Sequence, residues 1–296
     1  MQTSRWLDWV ALLALVVTFG SAFLLTKIAV QDFPAVLVVA GRIMIGALML
    51  IPLVYLQGER FSQLKPYWPL LTILAITGNC MPFFLITWGQ QYVDSGLAGI
   101  LMAMMPLATI LLAHWFVADE HITRHKVLGF VLGFVGVVIL MLPEVRLNSS
   151  VNWLHILAML SILSGAVSYA VNSVVAHQLP RISLTLLSAG VLLIASILIT
   201  PFALLAGSAW SGQVSLSSLI AIGLLGLFPS GLATIVYFSL IRRAGAPFMS
   251  QANYLIPLWA VLIGVVIGQE HISLHAILAL VVILAGVALA QKKSAQ

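Results

Sequence analysis

Ten stretches of this chain are apolar over close to the length that crosses a bilayer, and only short polar links separate them. They cover about residues 9–29, 35–56, 67–88, 95–117, 125–142, 152–176, 182–206, 216–240, 246–268 and 273–290, numbered here as spans 1 to 10. A transmembrane helix needs roughly 20 such residues. Hydrophobic residues make up 62% of the 296 and charged residues 7%, against about 45–50% and about 25% in a soluble domain. No soluble core absorbs that much apolar side chain, so the solvent is lipid. In lipid every backbone N–H and C=O needs an internal partner, which leaves helices or a closed barrel. Runs of this length select helices. The expected fold is an all-α polytopic membrane protein of ten transmembrane helices.

The links carry most of the charge. With the N-terminus placed in the cytoplasm, ten basic residues fall at cytoplasmic ends: Arg5, Arg60, Lys65, Arg124, Lys126, Arg181, Arg242, Arg243, Lys292 and Lys293. The opposite face holds only Arg146. Such a bias orients a membrane protein with its basic links inside, so both termini are expected in the cytoplasm. The distribution matters more here than the formal net charge of +5, and no nucleic-acid partner is expected. The first apolar run has spanning length and no small-residue cleavage site, so it reads as a retained helix and not a signal peptide. Cys80 is the single cysteine, which rules out an intrachain disulfide or a metal–thiolate cluster.

One stretch occurs twice. Residues 105–140 and 256–289 each consist of an apolar run, a short polar link opening on an acid, and a second apolar run. Pro106-Leu107 matches Pro257-Leu258, Glu120-His121-Ile122 matches Glu270-His271-Ile272, and Gly136-Val137 matches Gly286-Val287. Asp32-Phe33-Pro34 likewise resembles Gln178-Leu179-Pro180. The whole first half, 1–146, therefore maps on the second, 147–296, five helices on five. Five crossings are an odd number, so the second half enters from the other side. The expectation is two inverted five-helix repeats about an axis in the membrane plane, an arrangement typical of alternating-access carriers.

Several local sequences also line up with a known family. They are Phe19-Gly20-Ser21 with Lys27, Gly41-Arg42, and Trp88-Gly89-Gln90-Gln91-Tyr92-Val93 before Ala98. Further on come Pro106-Leu107, Ala113, Glu120-His121-Ile122-Thr123 with Lys126-Val127-Leu128-Gly129, and Gly133-Phe134-Val135-Gly136-Val137. In this order and spacing they resemble the drug/metabolite transporter superfamily, specifically its ten-helix EamA-type exporters. The family usually has Trp where Phe19 stands and Arg where His121 and His271 stand. The resemblance implies a monomeric or weakly dimeric carrier of the bacterial inner membrane that moves amino acids, related metabolites or drugs outward. It also implies that spans 4–5 and 9–10 are the scaffold end of each half.

Polar groups at membrane depth are functional candidates by default. Span 6 has Ser161, Ser164, Ser168 and Asn172 at spacings of three and four, hence on one face, with Tyr169 bordering it. Span 8 places Ser230, Thr234 and Tyr237 together, and span 3 places Asn79 and Phe83 together, with Trp88 toward its end. Span 9 offers Gln251, Asn253 and Tyr254. Asn79, Phe83, Trp88, Ser168, Tyr169, Asn172, Thr234, Tyr237, Gln251, Asn253 and Tyr254 are therefore the candidate cavity residues. Hydroxyls of this kind also serve helix packing or bond their own backbone, and the tyrosines suit an interfacial belt. Arg42 sits well inside span 2 and stays charged. It is read as a structural, gating or solute-carboxylate contact. Lys27, near the outer end of span 1, is read as snorkelling or as a gate. Pro82, Pro106, Pro229 and Pro257 are expected to break their helices.

The acids Asp8, Asp32, Glu59, Asp94, Asp119, Glu120, Glu144 and Glu270 all fall at span ends or in links. None is at mid-membrane, which argues against a central proton-exchanging carboxylate. The pairs His121/His125 and His271/His275 have metal-like spacing, but each straddles a helix start, so no metal site is expected. No P-loop is present, and no cofactor is expected. The expected partners are a small-molecule solute and the bilayer. The expected function is export of small metabolites, with amino acids favoured. A multidrug, nucleoside or sugar-phosphate carrier of the same fold is the alternative. A membrane enzyme, or a non-transporting subunit, is the reading from a different class.

Overall fold

A computed structural model describes residues 5–116, 123–146, 153–176 and 182–291. Every regular element among them is helical. Spans 1 and 2 are Arg5–Ala29 and Ala35–Leu56. Span 3 runs over Phe61–Gly89 and span 4 over Ser95–Phe116. Spans 5, 6 and 7 are Arg124–Arg146, Trp153–Ala176 and Leu184–Ala209. Span 8 begins at Leu216 and continues to Ala244. Spans 9 and 10 have main helices Ala252–Val266 and Leu274–Ala290. The first eight spans are long and apolar enough to cross a membrane, and the last two are shorter apolar helices. A ten-helix membrane protein is what the apolar runs require.

Large apolar side chains face outward, as lipid solvation demands. Trp6, Tyr55, Trp68 and Trp115 stand exposed near one rim, and Trp153 near the other. Serine starts three of the helices. Ser183, Ser215 and Ser273 each accept from the backbone N–H three residues on, as N-caps do. Spans 8 and 9 are joined by Gly245 alone, at φ +88. Glycine takes that left-handed backbone at no steric cost.

The packing has an internal symmetry. Span 5 lies along span 10, span 2 along span 7, and span 4 along span 9. The other extensive contacts come in matched pairs: 3 with 6 and 8 with 1, then 1 with 9 and 6 with 4. Exchanging each span for the one five places away returns the same contacts. Spans 5 and 10 are locked by glycines. A Cβ on Gly286 would lie 2.6 Å from the Gly129 carbonyl oxygen, and one on Gly129 would lie 2.4 Å from that of Gly286. Two backbones this close admit no side chain between them.

Four prolines were expected to break helices, and three adjoin an irregularity. Pro82 follows a wide π turn at Ile76–Cys80, and Pro229 lies within one at Gly226–Leu232. Each proline lacks the N–H for the carbonyl four residues back and crowds it, so the turn widens. Pro106 follows a break at Ala103–Met104, between Ser95–Met102 and Met105–Phe116. Pro257 does not fit the expectation: it sits inside Ala252–Val266, which is continuous. The break in span 9 comes earlier, at Ser250–Gln251. The carbonyl that Pro257 crowds is that of Asn253, in the first turn, where the chain has only just resumed its helix.

Candidate functional site

A cavity of about 380 Å³ lies at the centre of the bundle. Spans 1, 2, 3, 4, 6, 7, 8 and 9 all contribute to its wall. Spans 5 and 10 contribute nothing and pack against each other outside it. The wall is thus built from the first four spans of each half. Pro106 and Pro257, the matching prolines of the duplicated stretch, both line it.

Seven of the eleven cavity candidates line the space: Asn79, Phe83, Tyr169, Asn172, Thr234, Tyr237 and Asn253. The π turn in span 3 packs against one of them. It brings Gly78 against Asn172, so that a Cβ on Gly78 would lie 2.6 Å from Asn172 Oδ1. Phe83 and Tyr169 pack edge to face with ring centroids 6.3 Å apart. Thr234 donates to the Ser230 carbonyl of its own helix.

Four candidates lie elsewhere. Ser168 is buried and donates to the Thr77 carbonyl at 2.9 Å. The wide turn frees that carbonyl, and the serine satisfies it. Ser161 does the same for the Leu85 carbonyl, 2.8 Å away. The hydroxyl stripe of span 6 is therefore largely a seam against span 3. Trp88 stacks edge-on with Tyr92 at 5.5 Å and packs on the core between spans 4, 5, 6 and 10. Tyr254 donates to Gln291 Oε1 at 2.8 Å, beyond the end of span 10. Gln251 falls on the turn that starts span 9 and does not reach the cavity.

Other wall residues were not among the cavity candidates. Phe19, Phe23 and Thr26 of span 1 line the cavity, as do Gln90 of span 3, Met102 and Met105 of span 4, and Ser188 of span 7. Phe19, Phe23 and Thr26 follow the same three-and-four spacing used for span 6, so that signal was available. Gln90 is fully buried and its amide N–H donates to the Phe23 carbonyl at 2.8 Å.

Arg42 is in this wall, 7% exposed. Its Nε donates to Ser230 Oγ at 3.2 Å, and its guanidinium carbon lies 3.7 Å above the centre of the Phe83 ring. Lys27 is outside the wall. It donates to the Val93 carbonyl at 3.0 Å and pairs with Asp94 at 3.4 Å. Span 1 is thereby tied to the link between spans 3 and 4.

A second contact reinforces that end. Glu270 accepts from Ser95 N at 2.7 Å through Oε1 and from Gly96 N at 2.8 Å through Oε2. A carboxylate suits the free N–H groups and positive dipole end of a helix. The chain is shaped to deliver it. Gln269 is left-handed at φ 54, Glu270 N donates to the Gly264 carbonyl, and a Cβ on Gly264 would lie 2.4 Å from Glu270 Oε2. Near these contacts Thr26, Thr87, Gln90 and Ser95 are all buried, and Thr26 and Gln90 belong to the cavity wall. At its other end Asn172, Ser173, Ala176, Tyr237 and Asn253 are half-buried. Asp8 and Arg243, paired at 3.0 Å, join spans 1 and 8 on that side. Glu120, the sequence counterpart of Glu270, lies with His121 outside the described residues, so no counterpart of the Glu270 contact is described.

Known proteins account for this layout. The EamA-like transporter family matches residues 7–142 and matches again over 156–291. The chain belongs to the EamA-like transporter family, a branch of the drug/metabolite transporter superfamily. It is a multi-pass membrane transporter. Among its relatives is the uncharacterized inner membrane transporter YedA of Escherichia coli (strain K12), 29% identical over 94% of this chain and 89% of its own length. The uncharacterized transporter YoaV of Bacillus subtilis (strain 168) is 23% identical over 93% of this chain and 94% of its own. Protein PagO of Salmonella typhimurium is 26% identical over 91% and 88%. A crystal structure 22% identical to the chain covers 97% of each at a TM-score of 0.67, which establishes the shared fold.

Proposed function

We propose that the chain is a secondary carrier of the bacterial inner membrane that exports small metabolites, amino acids foremost, by alternating access. The observation that carries this reading is the central cavity, walled by four spans of each half, with buried polar residues at one end and half-buried ones at the other. Five spans per half is an odd number, so equivalent halves run oppositely through the membrane. Carriers with such inverted repeats bind solute at the midplane and rock one part against another. The basic links support an orientation with the N-terminus and the half-buried end of the cavity facing the cytoplasm. The other end, near Lys27, Asp94 and Glu270, is then the closed outer gate. The wide turns at Pro82 and Pro229, and the break at Pro106, give the wall its flexible points. The name of YedA supports the inner membrane. The lining supports amino acids and their relatives: Asn79, Asn172 and Asn253 offer amides, and Phe83, Tyr169 and Tyr237 offer aromatic faces.

Purified protein in liposomes is expected to accelerate flux of at least one member of a panel of amino acids, nucleosides, sugar phosphates and cationic drugs. Asn79→Leu or Asn172→Leu is expected to alter which member is preferred. Flux no faster than in empty liposomes for the whole panel, tested from both sides, would overturn the carrier reading. Unaltered preference in both variants would overturn the assignment of the cavity as the solute site.

A further inference from the structure

Arg42 is the one charged residue in the cavity wall among the described residues. Its buried guanidinium keeps its charge at any working pH. Within the protein it is met by a hydroxyl, Ser230 Oγ, and by the face of Phe83. No carboxylate among the described residues pairs with it. The ion pairs Lys27–Asp94 and Asp8–Arg243 lie at the ends of the bundle, away from it. A desolvated cation without an anion is costly. Ser230 and Phe83 hold the guanidinium on one edge and one face, and its two terminal nitrogens make no hydrogen bond to the described residues. Planar paired donors of this kind match a carboxylate bidentately.

We infer that Arg42 is the anchor for a carboxylate-bearing solute of net negative charge, and that the membrane potential drives the export of that solute. The inference rests on the carrier reading and narrows it. Within amino acids and their relatives, the carboxylate is the recognised group. An ammonium group finds amide and hydroxyl oxygens in the wall but no carboxylate. The preferred solutes are therefore those without a compensating cation, such as N-acylated or deaminated amino acids. Phe83, Tyr169 and Tyr237 beside the anchor suit an apolar or aromatic body.

The energetic consequence follows from charge alone. Arg42 belongs to the protein and stays with it, so each cycle carries the solute's own charge across. A bacterial interior is negative, so an anion leaves down the potential. The gradient supported is roughly fifty-fold per elementary charge for each ~100 mV. No proton has to enter in exchange, in keeping with a wall that contains no acid and no histidine among the described residues.

The test uses the full chain in proteoliposomes with a potassium diffusion potential set by valinomycin. Three solutes share one body: N-acetylphenylalanine is an anion, phenylalanine a zwitterion and phenylalanine amide a cation. The anion is expected to move fastest and, with the compartment of origin negative, to approach the fifty-fold gradient per ~100 mV. Arg42→Gln is expected to lower anion flux at least tenfold, with Arg42→Lys between it and wild type. Thermal stabilisation of the detergent-solubilised protein by N-acetylphenylalanine should be lost in Arg42→Gln, which separates binding from folding. Amide flux equal to anion flux overturns the inference, as does anion flux indifferent to the potential. Either result leaves the carrier reading intact. That reading fails on its own only if no solute of the wider panel moves at all.

Discussion

Replacing Glu270 by Gln should unlock the closed end of the cavity. Each carboxylate oxygen accepts one backbone N–H at the start of span 4, at 2.7 and 2.8 Å. Hydrogen bonds to a charged group contribute about 1.5–3 kcal/mol each, and a charge at a helix N-terminus adds about 0.3–1 kcal/mol. Glutamine keeps one acceptor, turns the other atom into a donor facing an N–H, and loses the charge. The loss is about one charge-assisted bond, or ~1.5–3 kcal/mol. If the contact forms only when this end is closed, the closed-to-open ratio falls roughly 10- to 150-fold. Thr26→Cys in a Cys80→Ala background provides the reporter, because Thr26 lines the cavity and is 2% exposed. A membrane-impermeant maleimide added on the side of the link between spans 9 and 10 should label it at least tenfold faster when Glu270→Gln is also present. Equal labelling in both backgrounds would refute the role of Glu270 as a closing contact.

Other substitutions separate scaffold from site. Gly286→Val pushes a side chain to 2.6 Å from the Gly129 carbonyl oxygen and 2.9 Å from Gly133 N; overpacking against backbone costs about 1–3 kcal/mol or more, read as a lower Tm in detergent with unchanged solute preference. Ser168→Ala removes the bond to the Thr77 carbonyl and should cost about 1 kcal/mol of stability while leaving selectivity as it was, whereas a shift in selectivity would return Ser168 to the cavity wall. Asp32 accepts from the Ser215 hydroxyl and N–H, and those bonds hold its carboxyl below the ordinary range. Its contribution is then fully present at neutral pH and lost only as pH falls through that lowered value, so Asp32→Asn should lower Tm at pH 7 and the difference should shrink in acid.

The fold was legible because lipid leaves the chain few choices. A spanning helix must be long, apolar and internally bonded, and each requirement writes itself into the sequence. The duplicated prolines and glycines were legible for a related reason: Pro106 and Pro257 line the cavity, and Gly136 and Gly286 sit where two backbones meet. The site was harder to read. Ser168 and Asn172 share a face by helical spacing, yet one donates to a neighbouring carbonyl and the other lines the cavity. Helical period cannot register the wide turn in span 3, which supplies that carbonyl. Phe19, Phe23 and Thr26 share one face by helical spacing, but the sequence does not say whether that face of span 1 meets the cavity or the lipid. Arg42 stood out at once, and the acids were already legible at the span ends, but its contacts with Ser230 of span 8 and the Phe83 ring of span 3 are facts of three dimensions.

A wide turn holds one residue more than the helix around it, so it is a one-letter insertion made permanent. Spans 3 and 8 carry it at corresponding places, Ile76–Cys80 and Gly226–Leu232. That shared position is what a single insertion, older than the duplication, would leave in both copies. The added residue turns everything beyond it by about 100°. Phe83 and Gln90 lie beyond the first insertion, and Thr234 and Tyr237 beyond the second. Loss of one codon from either turn would leave ten helices still able to enter the membrane and would swing those side chains away from the cavity. A lineage can thus reshape the cavity of such a transporter by arithmetic on the gene, without substituting any residue of its wall.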